Sequence, residues 1–273
     1  MLNISDSINP IILLKNLKTN YKLIQKFSKR DIEGRYRGSF LGLAWSFVTP
    51  IIMLSVYAFI FGIVMNVRWG IKSGIATFSL EVFAGMIAFT AFSDPVTRSP
   101  SLIYSIPNFV KKVVFPLEII PVSTVITGYY HSLLSTMVLG VGIFALHHSL
   151  PSSFLLLPIL ILPISIFALG LSWFLSALGV YIRDISNVVG VAIQILMYAT
   201  PIFYPIQSVP EPFKTVINLN PLTLGISMFR DAAVDGIYPS LLSYLYLVII
   251  ALLSAWIGSI WFNLSRRGFA DVL

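Results

Sequence analysis

Few side chains in this sequence have the types and spacing that catalysis requires. Asp231 and Asp235 stand four residues apart, where two carboxylates can share a helix face, but the adjacent Arg230 favours a charged helix end. The histidines are His131 and the pair His147–His148, and no carboxylate stands at ligand spacing from them. We therefore expect neither catalytic residues nor a metal site.

Sequence motifs narrow the chemistry further. The chain has no cysteine, which excludes disulfides, thiolate metal sites and cysteine catalysis. It contains no Gly-x-Ser-Gly, Gly-x-Gly-x-x-Gly or Gly-x-x-x-x-Gly-Lys-Ser/Thr pattern. Intramembrane serine proteolysis, dinucleotide binding and ATP binding by a phosphate loop are therefore not expected, and we expect no cofactor in this chain.

Other charged residues fall at the ends of apolar segments. Asp94 and Arg98 are four residues apart and can pair across one helical turn or reach toward the membrane surface. Glu118 begins a later segment and can cap its helix at the positive end. Arg183 and Asp184 occupy a tight turn, where we expect a structural contact. Because these groups cluster at boundaries, they form no proton path through a membrane.

Aromatic residues are the more suggestive side chains. They are concentrated in the first and fifth apolar segments: Trp45, Phe47, Tyr57, Phe59, Phe61, Tyr198, Phe203 and Tyr204. Aromatic rings suit the apolar faces of sugar rings, and tyrosine hydroxyls can bond sugar hydroxyls without fixing one position. A sliding polymer would use that property, although lipid contact or packing explains any single residue equally well.

The composition requires a membrane environment for these residues. The chain is 57% hydrophobic and only 11% charged, with a mean hydropathy of +0.88, whereas soluble domains carry about 25% charged residues. The net charge of +7 lies mainly at the ends of apolar segments, where anionic lipid and the positive-inside bias explain it. We therefore expect one compact membrane domain and no nucleic acid partner.

Six apolar segments are candidates for membrane spans, and the second is doubtful because it contains Glu81 and Asp94. The candidates are Phe40 to Asn66, Phe78 to Val96, Ile119 to Leu146, Phe154 to Ile182, Ile185 to Tyr204 and Leu241 to Leu264. With six spans and a cytoplasmic N-terminus, 14 of the 18 basic residues lie inside, whereas omitting the second span leaves 10 inside. The charge bias therefore predicts six spans with both termini in the cytoplasm.

Residues 1–37 are predicted to form a cytoplasmic interfacial helix. Its lysines fall within one narrow arc at 100° per residue, with apolar residues opposite, so the helix can lie among lipid headgroups. We expect membrane-surface anchoring by Lys15, Lys18, Lys22, Lys26, Lys29, Arg35 and Arg37. No run resembling a cleavable signal occurs in the first thirty residues, so this segment is expected to stay in the cytoplasm.

Two proline-punctuated segments interrupt the six-helix domain, residues 38–265. Residues 104–116 combine a basic pair with apolar residues between prolines, which predicts a short amphipathic helix on the cytoplasmic face or a plain interfacial anchor. Residues 200–225 are too apolar for a free loop and too broken for a span, so we expect re-entrant outer helices. Residues 266–273 form a cytoplasmic tail.

Four motifs in order resemble the permease of bacterial polysaccharide ABC exporters, which exports O-antigen, capsule or teichoic acid chains. They are Arg35-Tyr36-Arg37-x-Ser39-x-Leu41-Gly42-x-x-Trp45, Lys111-Lys112-x-x-Phe115-Pro116-Leu117-Glu118, Tyr181-x-Arg183-Asp184-Ile185, and Asn220-Pro221-Leu222 with Phe229-Arg230. The resemblance covers nearly the whole chain.

The resemblance implies a homodimer in the inner membrane with two separate ATPase subunits, which bind the ATP and magnesium, and a lipid-linked polysaccharide as cargo. It implies that residues 104–116 are a coupling helix, with contacts to the ATPase from Asn108, Phe109, Lys111, Lys112, Val113 and Phe115. It implies a channel lined by Tyr57, Phe61 and Tyr198, and an outer gate formed by Phe203, Tyr204, Asn220 and Pro221.

The cargo implied first is O-antigen of lipopolysaccharide, with teichoic acid or capsular polysaccharide as alternatives. Outside transport, the rival is a membrane enzyme acting on polyprenyl lipids. That activity needs clusters of acidic, histidine or arginine residues in the loops, and the sequence lacks them.

Overall fold

A computed structural model describes residues 10–64, 75–111 and 115–273, and all regular elements in these ranges are helical. The helices are α1 (Pro10–Thr19), α2 (Tyr21–Arg35), α3 (Trp45–Tyr57), α4 (Ile75–Arg98), α5 (Pro107–Lys111), α6 (Ile119–His147), α7 (Leu157–Tyr181), α8 (Ile185–Ala199), α9 (Glu211–Leu219), α10 (Pro221–Arg230), α11 (Leu241–Ser265) and α12 (Phe269–Val272). The predicted all-α fold of a polytopic membrane protein is confirmed.

Within the described ranges, four segments are long and apolar enough to cross a membrane: Gly42–Val64, Ile119–His147, Ser152–Tyr181 and Leu241–Val272. They correspond to the predicted spans one, three, four and six. In the first, a 3-10 turn precedes α3 and a π-helical turn, Ala58–Val64, follows it. The chain is therefore a multi-pass membrane protein, and the count of six spans stays a prediction.

The doubtful second span is a continuous helix at the centre of the molecule. α4 has 24 residues, or about 36 Å at 1.5 Å per residue, which exceeds the hydrocarbon thickness of about 30 Å. It packs against α3, α6, α7, α8 and α10, and Glu81 is only 5% exposed. Glu81 is tolerated at this depth because protein rather than lipid surrounds it.

The fifth predicted span is shorter than expected. α8 ends at Ala199 instead of Tyr204, and its 15 residues reach about 22 Å. The cause is local, because Thr200 precedes Pro201 and has an extended backbone with ψ of 139°. The chain then continues through α9 and α10, and α10 packs against α4 and α7. The re-entrant path of this segment stays a prediction.

Glycines bring two long helices into close contact. A Cβ added at Gly258 of α11 would collide with the backbone of Gly170 in α7, and one added at Gly170 would collide with Ser254. Close backbone approach at small residues is the usual way in which helices associate in lipid. α7 and α11 therefore form a tight pair.

The two ends of the bundle are held differently. At the end that carries α2, α5 and α12, called the inner end here, an apolar cluster includes Ile24, Phe115, Trp173 and Phe269. Phe269 is fully buried, so the predicted tail of residues 266–273 packs against the bundle. At the outer end, α10 and the π-helical turn Asp231–Asp235 join the main core around α4.

Candidate functional site

The short helix α5 lies at the inner end, within the predicted coupling segment. Asn108 and Lys111 are exposed on it, and Phe109 is half-buried. Lys112 and Val113 lie outside the described residues. Phe115 is only 8% exposed, so it supports the segment from behind rather than offering its ring to another subunit.

An aromatic trio, Phe27, Phe109 and Phe115, fastens the coupling segment to the N-terminal helix α2. The ring centroids of Phe109 and Phe115 are 5.1 Å apart, and those of Phe27 and Phe115 are 5.3 Å apart. Phe27 and Phe109 meet edge to face at 6.2 Å. Such pairs add to the free energy of apolar burial, so α5 and α2 are packed together through these three rings.

Arg266, in the tail, ties the same segment to the last long helix. Its Nη1 donates to Oε2 of Glu118 at 2.8 Å, and its Nη2 donates to the backbone carbonyl of Phe115 at 2.9 Å. The indole nitrogen of Trp173 donates to the carbonyl of Glu118 at 3.0 Å. Glu118 stands at the N-cap position of α6, the positive helix end where it was predicted, but its side chain makes no capping hydrogen bond and binds Arg266 instead.

Two ion pairs fasten α2 to the inner end of α4. Arg98 donates to both carboxylate oxygens of Asp31, at 3.0 Å from Nη1 and 2.5 Å from Nη2. Arg35 pairs with Asp94. Pairing of Asp94 with Arg98 was one of the two options that the sequence left open, and among the described ion pairs each of these side chains has its partner on α2 instead.

The five lysines of the predicted interfacial helix are all exposed, as membrane-surface anchoring would require, and so is Arg37. Two details differ from the expectation of one helix lying in the headgroups. A break at Asn20 divides it into α1 and α2. The apolar face of α2 is buried against the protein at Ile24 and Ser28, whose hydroxyl donates to the carbonyl of Ser123 in α6 at 3.3 Å.

The aromatic residues predicted to line a channel form one chain of rings with a residue of the predicted gate. Tyr57 and Phe61 have centroids 6.3 Å apart, Phe61 stacks on Phe203 at 6.1 Å, and Phe203 contacts Tyr198 at 6.0 Å. Tyr198 is 66% exposed. The structure thus joins the first and fifth apolar segments through side chains that the sequence singled out.

Polar contacts hold the outer segment in a defined shape. The Tyr204 hydroxyl donates to the carbonyl of Tyr198 at 2.9 Å. The Asn220 side chain accepts from the amide of Leu222 at 3.0 Å and so caps α10, whose first residue is Pro221. The amide nitrogen of the same side chain donates to the Thr200 hydroxyl at 3.2 Å.

Arg230 is a further anchor of this outer segment. Its side chain is largely buried, and Nη1 donates to the carbonyl of Pro201 at 3.1 Å. Helix α10 ends at Arg230, and Asp231 follows at 3.8 Å from the guanidinium, which agrees with a charged helix end. Burial raises the pKa of Asp231 and Asp235, while the charge of Arg230 acts in the opposite direction.

The remaining polar residues are dispersed. His131 packs edge-on to Tyr36 at 5.9 Å, and His147 and His148 are exposed at the end of α6. Within the part of the chain that the structure describes, no three His, Cys, Asp or Glu side chains are grouped as a metal site would require. Arg183 and Asp184 are both exposed in the turn between α7 and α8, and the backbone carbonyl of Asp184 accepts from the amide of Asn187 at 3.0 Å as α8 begins.

Sequence reasoning missed Asp31, Phe27 and Arg266 because their partners lie far along the chain. The Arg266–Glu118 pair joins residues 148 positions apart. Phe27 carried a usable signal, since it is an aromatic residue on the side of α2 away from the lysine arc. A single sequence offered no comparable signal for Asp31 or for Arg266.

Comparison with known proteins defines the class. A sequence profile of the ABC-2 type transporter family matches residues 22–234, and the chain belongs to that family. This makes it a transport component rather than an enzyme.

Curated relatives cover nearly the full length. The chain is 29% identical over 262 residues to the O-antigen export system permease protein RfbA of Klebsiella pneumoniae, covering 94% of this chain and 97% of that protein. It is 27% identical to the RfbA permease of Myxococcus xanthus, covering 96% and 99%. The chain is 22% identical to the polysialic acid transport protein KpsM of Escherichia coli, and the match covers 84% of this chain and 88% of that protein.

Proposed function

We propose that this chain is the membrane permease of an ATP-driven exporter that moves lipid-linked O-antigen polysaccharide across the cytoplasmic membrane. The observation that carries the proposal is similarity over nearly the full length to two O-antigen export permeases. Capsular polysaccharide is the second candidate cargo, favoured by the weaker similarity to KpsM. Both cargoes are sugar polymers and require the same kind of path.

The proposed exporter contains two copies of this chain and two ATPase subunits, which bind ATP and magnesium. A second copy would meet this one along α3 and α8. Only 6% of the residues in the most apolar stretch of the first segment are buried by their own chain. The corresponding share is 28% to 44% in the other three long apolar segments. On α8, Val188, Val191, Ile195 and Tyr198 are exposed.

The ATPase contact of the proposal is α5, through Asn108, Phe109 and Lys111, with Lys112 and Val113 beside it. Phe115 supports this contact from within. Closure of the ATPase around ATP would push α5, and the aromatic trio and Arg266 would carry the movement to α2, α6 and α11. ATP shifts the channel only to the extent that the closed ATPase binds one arrangement of α5 more tightly than another.

The channel of the proposal runs between the two copies, past Tyr57, Phe61 and Tyr198, with Phe203, Tyr204, Asn220 and Pro221 at its outer gate. The ring chain through Phe61 and Phe203 supports this, because it couples the wall to the gate. With six spans and a cytoplasmic N-terminus, the C-terminus would also lie in the cytoplasm and α5 would face the ATPase.

The test is co-purification of the tagged chain with the ATPase subunit of its own cells, followed by ATP hydrolysis in lipid nanodiscs. We expect a complex of two plus two subunits whose hydrolysis rises with lipid-linked O-antigen and does not rise with capsular polysaccharide. A chain that purifies without an ATPase would overturn the exporter. Stimulation by capsular polysaccharide alone would overturn the cargo.

A further inference from the structure

An apolar groove lies at the inner end between α2 and α6, on the side away from the aromatic trio. Its volume is about 370 Å³, and its walls include Ile24 and Ile32 of α2, Leu43 at the start of the first apolar segment, and Ile126 and Tyr130 of α6. Leu43 is 53% exposed and Ile126 is 40% exposed. The groove is therefore open from the side rather than filled by the chain itself.

The position of the groove relates it to the membrane surface. Ile126 and Tyr130 stand seven and eleven residues into α6, about 10 to 17 Å along that helix from its first residue. Leu43 belongs to an apolar segment that is long enough to cross a membrane. The groove thus extends from the level of α2 into the depth where lipid chains are the solvent, and its apolar walls match them.

The rim of the groove carries one lysine and one carboxylate, on a helix whose exposed face is basic. Lys29 and Glu33 both line the groove, with side chains 78% and 56% exposed and Nζ of Lys29 at 3.8 Å from Oε1 of Glu33. Lys15, Lys18, Lys22 and Lys26 are exposed on the same two helices. On a helix with 100° per residue, Lys26 and Lys29 are separated by about 60° around the axis of α2, and Lys29 is the one on the side of the groove. Lys29 is the lysine placed to meet a headgroup whose chain occupies the groove.

We propose that this groove binds one phospholipid with an anionic headgroup, its phosphate beside Lys29 and one acyl chain between α2 and α6. Charge complementarity selects the headgroup, and apolar walls at acyl depth select the chain. A lysine-rich surface attracts anionic lipids in general. This site is more specific, because binding depends on one lysine, Lys29, and on one side of α6. It is independent of the cargo, and it would set the position of α2 on the membrane.

The experiment uses the full chain in detergent with equal amounts of phosphatidylglycerol and phosphatidylcholine, and bound lipid is counted by native mass spectrometry. The wild-type chain should retain one phosphatidylglycerol in preference to phosphatidylcholine. Lys29→Gln should weaken retention about fivefold, the factor expected from one basic residue near an anionic surface. Ile126→Trp should fill the groove and abolish retention.

Matched variants separate the groove from general surface charge. Lys26→Gln removes another exposed lysine on the same helix, and Met137→Trp adds bulk at an exposed position elsewhere on α6. Both variants should retain the lipid. Glu33→Gln should tighten it, because a carboxylate beside Lys29 is removed. Equal losses in the Lys26 and Lys29 variants, or equal retention of phosphatidylcholine, would overturn the proposal.

Discussion

Arg266 and Glu118 form an ion pair at 2.8 Å that joins the tail after α11 to the first residue before α6. The Glu118 side chain is 9% exposed and that of Arg266 is 29% exposed. Arg266 also binds the carbonyl of Phe115, so one guanidinium holds the end of the coupling segment against two long helices. Loss of this contact would separate α5 from the helices that it is proposed to move.

Replacement of Arg266 should therefore destabilise the inner end. Arg266→Gln leaves a buried carboxylate without its partner, and we expect a loss of about 2 kcal/mol, reduced from that of a fully buried pair because Arg266 reaches water. The measurement is thermal aggregation of the purified chain in detergent. Glu118→Gln combined with Arg266→Gln should recover most of the stability, whereas strictly additive losses would contradict the pairing.

Exposed residues of α5 should affect coupling without affecting folding. Lys111→Glu reverses the charge of an exposed residue on α5, so ATP hydrolysis stimulated by the glycan should fall about tenfold while the chain still enters the membrane. The control is Lys18→Glu, the same change at an exposed lysine of α1. Equal effects of the two variants would contradict a specific role for α5.

Buried Phe115 should behave differently from Lys111. Phe115→Asp introduces a carboxylate into the inner cluster, so we expect a destabilised chain rather than a folded but uncoupled one. Phe109→Asp, at a half-buried position, should be tolerated better. The amount of folded chain recovered from membranes measures both variants, and equal recovery would contradict the packing of Phe115.

The aromatic chain should matter for transport more than for assembly. Tyr198→Ala removes an exposed ring from the proposed path, and we expect export to fall about fivefold, as loss of about 1 kcal/mol of ring contact implies. Tyr246→Ala removes a ring of similar exposure from α11, where no channel is proposed. Export of surface polysaccharide is the measurement, and equal losses would place the path elsewhere.

Stability of the outer segment should depend on pH. The pKa of Asp231 and of Asp235 is raised by burial, so folding favours their protonated forms and stability should fall as pH rises through the raised values. Because the change begins at the ordinary pKa of an aspartate, about 3.9, thermal unfolding is compared at pH 4 and pH 8 to test the sign. In the double variant Asp231→Asn with Asp235→Asn, the difference in stability between the two pH values should become smaller. A difference equal to that of the wild-type chain would contradict the role of these two carboxyl groups.

The sequence predicted those features that depend on local pattern. Hydropathy predicted both ends of α11 to within one residue. The distribution of basic residues favoured a membrane span at α4 despite Glu81 and Asp94. The end of α8 was misplaced, although Pro201 and Pro205 were visible, because hydropathy continues through Tyr204 while helical backbone geometry does not. The prolines carried the correct information about the helix end.

Long-range contacts could not be predicted in the same way. Asp94 and Arg98 are good partners on a single helix, and nothing in their spacing reveals that Asp31 and Arg35 approach from α2. The amphipathic pattern of α2 is equally consistent with burial in lipid or against α6. Only the fold distinguishes these alternatives, since both satisfy the same local preferences.

The most direct test of the proposed function is ATP-driven movement of lipid-linked O-antigen into inverted membrane vesicles that contain this chain and its ATPase. The predicted result is uptake that requires ATP, that is strongly reduced by Lys111→Glu and that is retained with Lys18→Glu. Glycan that stays outside the vesicles while the complex hydrolyses ATP would contradict export through this chain.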